Sequence, residues 1–114
     1  MARKRVILEL GTGNDLHGGD YTKAALRAVQ DAIHHSSLTM LRSLGIDPKT
    51  RMFVEVTIGV PHPEKVDKQQ VLAILPHGTG TVTVVDGGLE IPNDEGTNST
   101  LIASAAAVVW LDVA

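Results

Sequence analysis

Cysteine is absent from this 114-residue chain. Disulfides, thiol nucleophiles and cysteine-based metal sites are therefore excluded. Aromatic side chains are also scarce, since the sequence has one tyrosine, one phenylalanine and one tryptophan, so aliphatic side chains must build the core. The hydrophobic fraction of 43% is that of a folded globule rather than a disordered chain. The length predicts a single domain over residues 1–114.

A strong excess of basic charge is missing as well. The net charge is −3, and the basic residues are scattered except for Arg3, Lys4 and Arg5. No basic stripe is interleaved with stacking aromatics, so we expect no nucleic acid as a partner. No apolar run is long enough to cross a membrane or to form a signal peptide. We therefore expect no membrane partner and a cytoplasmic location.

Hydrophobic periodicity predicts an α+β domain of order β-α-β-α-β-β, a mixed sheet with two helices on one face. The predicted elements are a strand Val6–Leu10, a helix Tyr21–Leu44, a strand within "RMFVEVTIGVP" (51–61), a helix Lys68–Leu75, a hairpin in "TVTVVDGGLEI" (81–91) and a strand within Leu101–Val113. Asp20 is predicted to cap the first helix, and Asp67 to begin the second with a capping box.

The first predicted helix has one apolar stripe and would be about 36 Å long. The stripe residues are Leu26, Val29, Ile33, Met40, Leu41 and Leu44. We expect this stripe to pack against the sheet, and Gly45 to end the helix.

The predicted last strand is apolar on both of its sides, from Ala105 to Leu111. Two helices can cover only one face of the sheet, so the other face needs another cover. A second copy of the chain is the natural one. The sequence therefore predicts a homo-oligomer with clefts at subunit boundaries, where ligands commonly bind.

The segment "GTGNDLHGGD" (11–20) imitates two phosphate-binding motifs and completes neither. It lacks the lysine of a P-loop, and Leu16 occupies the third glycine position of a dinucleotide fingerprint. Two interpretations stay open. The glycines permit positive φ in a tight strand-to-helix connection, or Asn14, Asp15 and His17 project from the loop as ligand contacts.

Other candidate contacts lie further along the chain. His62 stands between two prolines in "VPHPEK", where Lys65 could meet an anion, and Ser99 offers a hydroxyl before the last strand. An equally good interpretation is that these residues are exposed on the surface and have no role in binding. Asp31 and His35 have the spacing of two metal ligands on a helix, but no third ligand is in view. We therefore expect no metal and no cofactor.

The runs "ELGTGNDLHGGDYTKAALRAVQDAIHHSSL" and "VEVTIGVPHPEKVD" resemble the Lin family of small conserved bacterial proteins of uncharacterised function. A more distant likeness is to one repeat of the ring-opening amidohydrolases, cyanuric acid amidohydrolase and barbiturase. "IASAAA" around Ser104 is similar to their serine motif, which implies Ser104 as a catalytic nucleophile. Thr57 stands where their lysine would be, so that serine would lack its base.

The chain is also similar in plan to trimeric chorismate mutase and to YjgF-like proteins, which implies a homotrimer with ligand clefts between subunits. These observations lead to one functional hypothesis, an oligomer that binds a small polar metabolite in such clefts. It would hydrolyse a cyclic amide, with Ser104 or a bound water as nucleophile. The alternative hypothesis is a non-catalytic structural or ligand-binding homo-oligomer.

Overall fold

Five strands and four helices occur within residues 2–17, 19–34, 39–75 and 79–113, which are the parts of the chain that the computed structural model describes. In chain order they are β1 (Ala2–Asp15), α1 (Tyr21–His34), α2 (Thr39–Ser43), α3 (Pro48–Arg51), β2 (Met52–Val60), α4 (Lys68–Ile74), β3 (Thr79–Asp86), β4 (Leu89–Pro92) and β5 (Ser99–Val113). A 3₁₀ turn, Pro63–Lys65, precedes α4. The α+β class agrees with the prediction, but the predicted order β-α-β-α-β-β has one strand and two helices fewer than the structure.

The sheet is mixed, with the strand order β1-β5-β2-β3. β5 is antiparallel to β1 along almost its whole length. On its other side β5 pairs antiparallel with β2 through residues 104–111 and with β4 through residues 99–102. β2 and β3 are parallel, as expected for two strands joined through a helix. The long central strand therefore carries most of the pairing.

The helices cover one face of this sheet, as predicted. α1 packs against β1 and β5, and α4 packs against β3 and α1. The core consists of the alternate side chains of β2 and β5 that point to this face, together with the inner side of α1. The buried residues of β2 are Met52, Val54, Val56, Ile58 and Val60, the set that the alternating sequence predicts.

Gly11 and Gly13 belong to β1, which continues to Asp15, five residues beyond the predicted strand end. A methyl group at Gly13 would overlap the backbone of Ala24 and Ala28, and one at Gly11 would overlap that of Ala28 and Ala32. The helix therefore rests directly on the strand. Close approach, rather than a positive φ, is what these two glycines provide.

The predicted stripe of the first helix was partly wrong. Val29 and Leu41 are buried, but Leu44 is 62% exposed, and alanines form much of the buried side of α1. The buried side of α1 consists of small residues because the helix lies so close to Gly11 and Gly13 of β1 that leucine side chains would not fit between them. Within the predicted helix the structure describes two helical segments, α1 and α2, and residues 35–38 between them lie outside the described part of the chain.

Both predicted N-cap residues are confirmed, but the capping box at Asp67 is not, because the Asp67 backbone N–H donates to Thr22 Oγ1 and the Gln70 side chain donates to Asp67 Oδ2. Asp20 Oδ1 accepts the backbone N–H of Lys23 at 3.0 Å, at the start of α1. Asp67 Oδ1 accepts the backbone N–H groups of Gln69 and Gln70 at 3.0 and 3.4 Å, at the start of α4. These carboxylates satisfy amides that have no partner inside the helix.

The predicted β3–β4 hairpin was wrong. β3 pairs with β2, whereas β4 does not pair with β3. It pairs with β5 instead, beyond the end of β2. β5 is longer than β2, so its residues 99–102 have a free edge that β4 completes. Gly88 makes the crossing feasible, because it has φ +64° and a methyl group there would overlap the carbonyl of Ile102.

The opposite face of the sheet, which we call the open face, has no helix against it among the described residues. It exposes large apolar side chains, namely Leu8 and Leu10 of β1, Val85 of β3, and Leu89 and Ile91 of β4. Leu10 is 69% exposed. In the part of the chain that the structure describes, no helix is long and apolar enough to cross a membrane.

Candidate functional site

A cleft of about 610 Å³ lies beside the end of β2, at the crossing from β3 to β4. Its lining consists of Pro61, His62, Asp86, Gly87, Gly88, Leu89, Glu90, Pro92 and Ser99. The volume is in the range of small-molecule sites. Two of the predicted contact residues, His62 and Ser99, therefore share one cleft.

Glu90 is the central acceptor of this cleft. The hydroxyl of Tyr21, the first residue of α1, donates a 2.7 Å hydrogen bond to Glu90 Oε1. This bond is the main reason that the pKa of Glu90 lies below its ordinary value, although burial opposes it. A hydrogen bond from Ser99 and the charges of His62 and Lys65 lower the pKa further. Glu90 is therefore an ionised carboxylate at neutral pH.

Tyr21 keeps its proton for the same reason. The hydrogen bond to Glu90 contributes most, and burial and the charges of Glu90 and Glu64 add to it, raising the pKa of Tyr21 to about 12. The phenol is therefore a permanent donor to the carboxylate at neutral pH. Together the two side chains form a fixed acceptor at one wall of the cleft.

His62 lies between two carboxylates. Its Nε2 is 3.9 Å from Glu90 Oε1 and its Nδ1 is 3.5 Å from Glu64 Oε1, while its ring meets that of Tyr21 edge-on at 5.5 Å. The backbone of His62 is left-handed, with φ 55° and ψ 63°, a conformation that non-glycine residues rarely adopt. Such strained residues cluster at ligand sites.

Lys65, another predicted contact, lies in the 3₁₀ turn and does not line the cleft, but it is near Tyr21. Its Nζ is 5.2 Å from the centre of the Tyr21 ring, a cation–π distance. Thr22 ties the turn to α1, since its hydroxyl donates to the carbonyl of Lys65 at 3.4 Å and accepts the backbone N–H of Asp67 at 2.9 Å. The start of α1 thus positions both the lysine and the tyrosine.

Asn14, Asp15 and His17, predicted as one group of contacts, are separated by the structure. Asn14 is exposed at the end of β1, and His17 lines a neighbouring cleft of about 320 Å³ that also contains Ser99. Asp15 is only 3% exposed. Its Oδ2 accepts the backbone N–H of Asp20 at 2.7 Å, and Nη1 of Arg27 is 3.9 Å from its Oδ1.

Ser104, the predicted nucleophile, lies elsewhere. It is exposed on β5, with Thr12 of β1 and Gly59 of β2 beside it in register. Neither neighbour can act as a general base. Among the described residues no hydrogen bond or ion pair joins the Ser104 side chain to another group. The structure therefore places Ser104 apart from the ionisable residues of the cleft.

No cluster of three or more potential metal ligands occurs among the residues that the structure describes. His35, which has metal-ligand spacing with Asp31, lies outside them. Asp31 instead accepts the backbone N–H of Thr12 through Oδ2 at 2.9 Å, so its carboxylate binds α1 to β1.

Tyr21 and Glu90 were not predicted as site residues. The sequence predicts Tyr21 only as the start of a helix, and Glu90 only as part of a hairpin. The two residues are 69 positions apart, and no local spacing connects them. The one available signal was composition, because Tyr21 is the only tyrosine of the chain.

A family model described as "Conserved hypothetical protein (Lin0512_fam)" matches residues 5–109. The crystal structure of an FtsZ-like protein of unknown function from Nostoc punctiforme is similar over 99% of each chain, with 41% sequence identity and a TM-score of 0.85. No curated protein matches the chain. The fold is therefore shared with an experimentally determined structure.

Proposed function

The chain belongs to the Lin0512 family of conserved hypothetical proteins, and on that premise we propose that it is an oligomer that binds a small polar metabolite in the His62–Glu90 cleft. One observation carries the proposal: an ionised Glu90, fixed by Tyr21, stands 3.9 Å from the imidazole of His62 at the wall of a ligand-sized cleft. Ionisable groups with a perturbed pKa in a cleft mark candidate functional sites.

The polar groups of the cleft favour a ligand with a donor beside an acceptor. Glu90 offers a carboxylate that accepts, while His62 and Ser99 in the lining and Lys65 nearby offer groups that donate. A cyclic amide carries an N–H next to a carbonyl, which is the complementary pair. The ligand class therefore agrees with the amidohydrolase likeness of the sequence, although the residues involved are different.

Catalysis on such a ligand would use water. His62 has the chemistry of a general base, and Glu90 and Glu64 would stabilise the imidazolium that forms when it takes a proton from water. The resulting hydroxide would attack the amide carbonyl, and the ring C–N bond would break as the imidazolium of His62 gives its proton to the leaving nitrogen. Ser104 has no base beside it and takes no part in this proposal. The alternative remains a non-catalytic oligomer that binds the same ligands.

Self-association is part of the proposal, and a trimer as in chorismate mutase and YjgF-like proteins is the preferred form. The open face leaves five large apolar side chains in water, which is unusual for a monomer. The radius of gyration is 15.7 Å, whereas a compact chain of this length has about 13 Å. A second copy on the open face would bury these side chains and leave the cleft near a subunit boundary.

Binding can be tested by calorimetry with a panel of cyclic amides, such as hydantoin, uracil and barbiturate, followed by chromatography for ring-opened product. Glu90→Gln removes the fixed charge but keeps the shape, and we expect it to weaken binding about tenfold or more, as for a lost charged hydrogen bond. Glu95→Gln, in the exposed loop before β5, is the matched control and should bind as the wild type does.

The measurements separate the two versions of the proposal. Product that disappears in His62→Gln while binding persists supports the hydrolase. Binding without product supports the non-catalytic alternative. No binding by any of these compounds, or equal losses in Glu90→Gln and Glu95→Gln, would overturn the proposed cleft.

A further inference from the structure

A second cleft, of about 440 Å³, lies at the start of β2, whereas His62 follows the end of that strand. Its lining consists of Arg3, Phe53, Val54, Glu55, Thr79, Thr81 and Trp110. The proposed function places a second copy on the open face but assigns these residues no part in ligand binding. None of them lines the His62–Glu90 cleft.

A β-bulge in β1 brings Arg3 to this cleft. The register against β5 shifts between Arg5, which is opposite Trp110, and Ile7, which is opposite Val109. Without the shift, strict alternation would place Arg3 and Arg5 on the helix-covered face with Ile7. With it, both arginines share the open face with Trp110. Bulges commonly redirect side chains in this way beside functional sites.

The guanidinium of Arg3 is held flat. Its central carbon is 3.6 Å from the centre of the Phe53 ring, and its Nε is 3.9 Å from Asp112 Oδ1. The side chain remains 53% exposed. A guanidinium stacked on a ring keeps its edge of N–H donors free, and that edge matches the two oxygens of a carboxylate.

Trp110 lines the same cleft, and its indole N–H is a second potential donor. Nε1 is buried and has no hydrogen-bond partner among the described residues. A buried donor without an acceptor calls for an explanation in a native structure. Exposed arginine side chains stand beside it, Arg5 opposite in register and Arg3 on the same cleft. Their movement would admit an acceptor from outside the chain.

We infer that this cleft binds a small carboxylate carried on an apolar body. The stacked Arg3 supplies the charge and the paired donors, and the indole N–H of Trp110 supplies a further donor to the same anion. Phe53, Val54 and the Trp110 ring provide an apolar wall for the rest of the ligand. The carboxylate of Glu55 lines the cleft as well and disfavours anions of higher charge, such as inorganic phosphate.

Trp110 is the only tryptophan, so its fluorescence and its indole N–H resonance report directly on this cleft. We expect benzoate to change the fluorescence saturably and to move the indole resonance downfield. Inorganic phosphate, which lacks the apolar body, and benzamide, which lacks the charge, should each bind at least about tenfold more weakly than benzoate. Arg3→Gln should weaken benzoate binding about tenfold or more.

Lys4→Gln is the matched control, because it removes the same charge from the adjacent residue on the other face of β1, opposite Leu111. Benzoate binding in this variant should stay within about twofold of the wild type. Equal losses in the two variants, or benzamide binding as tight as benzoate, would overturn the inference. So would an absence of saturation up to about 10 mM, or a Trp110 signal that responds to protein concentration but not to benzoate, since a second copy would then fill the cleft.

Discussion

The hydroxyl of Tyr21 and the carboxylate of Glu90 are joined by a hydrogen bond of 2.7 Å across 69 residues of chain. The bond connects the start of α1 to β4, two elements that are far apart along the chain. It is the largest of the effects that raise the pKa of the phenol to about 12, and it lowers the pKa of the carboxylate. One contact thus fixes the helix to the strand and sets the charge of the candidate cleft.

The first prediction concerns this pair at high pH. Because the folded pKa of Tyr21 is raised, the bond contributes stability below the ordinary value of 10.0 and loses it as the pH rises to about 12. Tyr21 is the only tyrosine, so ultraviolet absorbance of the tyrosinate measures it directly. We expect a midpoint near 12 in the wild type. In Glu90→Gln the midpoint should fall toward 10.0, since the neighbouring charge is gone.

Glu64→Gln is the control for that titration, because Glu64 is the last contributor to the shift. It should move the midpoint much less than Glu90→Gln does. Circular dichroism at each pH verifies that the chain is still folded. A wild-type midpoint at the ordinary value, with the fold intact, would contradict the Tyr21–Glu90 bond.

The second prediction concerns the contact between α1 and β1. Gly13→Ala would push a methyl group into the backbone of Ala24 and Ala28, which cannot move aside as a side chain can. We expect a loss of about 3 kcal/mol in the free energy of unfolding, at the upper end for overpacking. Urea denaturation measures it. Gly96→Asn, in open space, should cost less than about 0.5 kcal/mol because asparagine tolerates positive φ.

Local features of the fold could be predicted from the sequence, whereas non-local pairings could not. The alternation of Met52 to Val60 and the caps at Asp20 and Asp67 depend on neighbouring residues, and all three predictions are confirmed. The β3–β4 hairpin was wrong because the partner of β4 depends on how far β5 extends beyond β2. No turn signal within "VVDGGL" contains that information.

The candidate site shows the same division. His62 and Lys65 could be selected because two prolines restrict the segment around them, and Ser99 because it precedes a strand. Glu90 could not, since its importance comes from a partner on α1. Asp15 was grouped with exposed contacts because it follows glycines, but β1 continues through them and turns Asp15 to the buried face.

The third prediction separates Asp15 from His17. Asp15→Ala removes a buried acceptor of the Asp20 backbone N–H, and we expect it to destabilise the fold by about 2 kcal/mol. His17→Ala removes an exposed side chain and should cost less than about 0.5 kcal/mol. Thermal or urea unfolding of both variants checks this. Equal effects would mean that the loop does not anchor α1 through Asp15.

The last prediction concerns the open face. Leu10→Glu changes a side chain that is 69% exposed in the single chain, so it should alter the stability of one subunit by less than about 0.5 kcal/mol. In an oligomer the same position would be buried, and an unpaired carboxylate there would be strongly unfavourable. Light scattering at micromolar concentration should give a multiple of 12.1 kDa for the wild type, with three copies preferred, and 12.1 kDa for Leu10→Glu. Leu44→Glu, 62% exposed but outside the sheet, should keep the wild-type mass. A wild-type monomer, or dissociation by Leu44→Glu as well, would show that the open face is not the subunit interface.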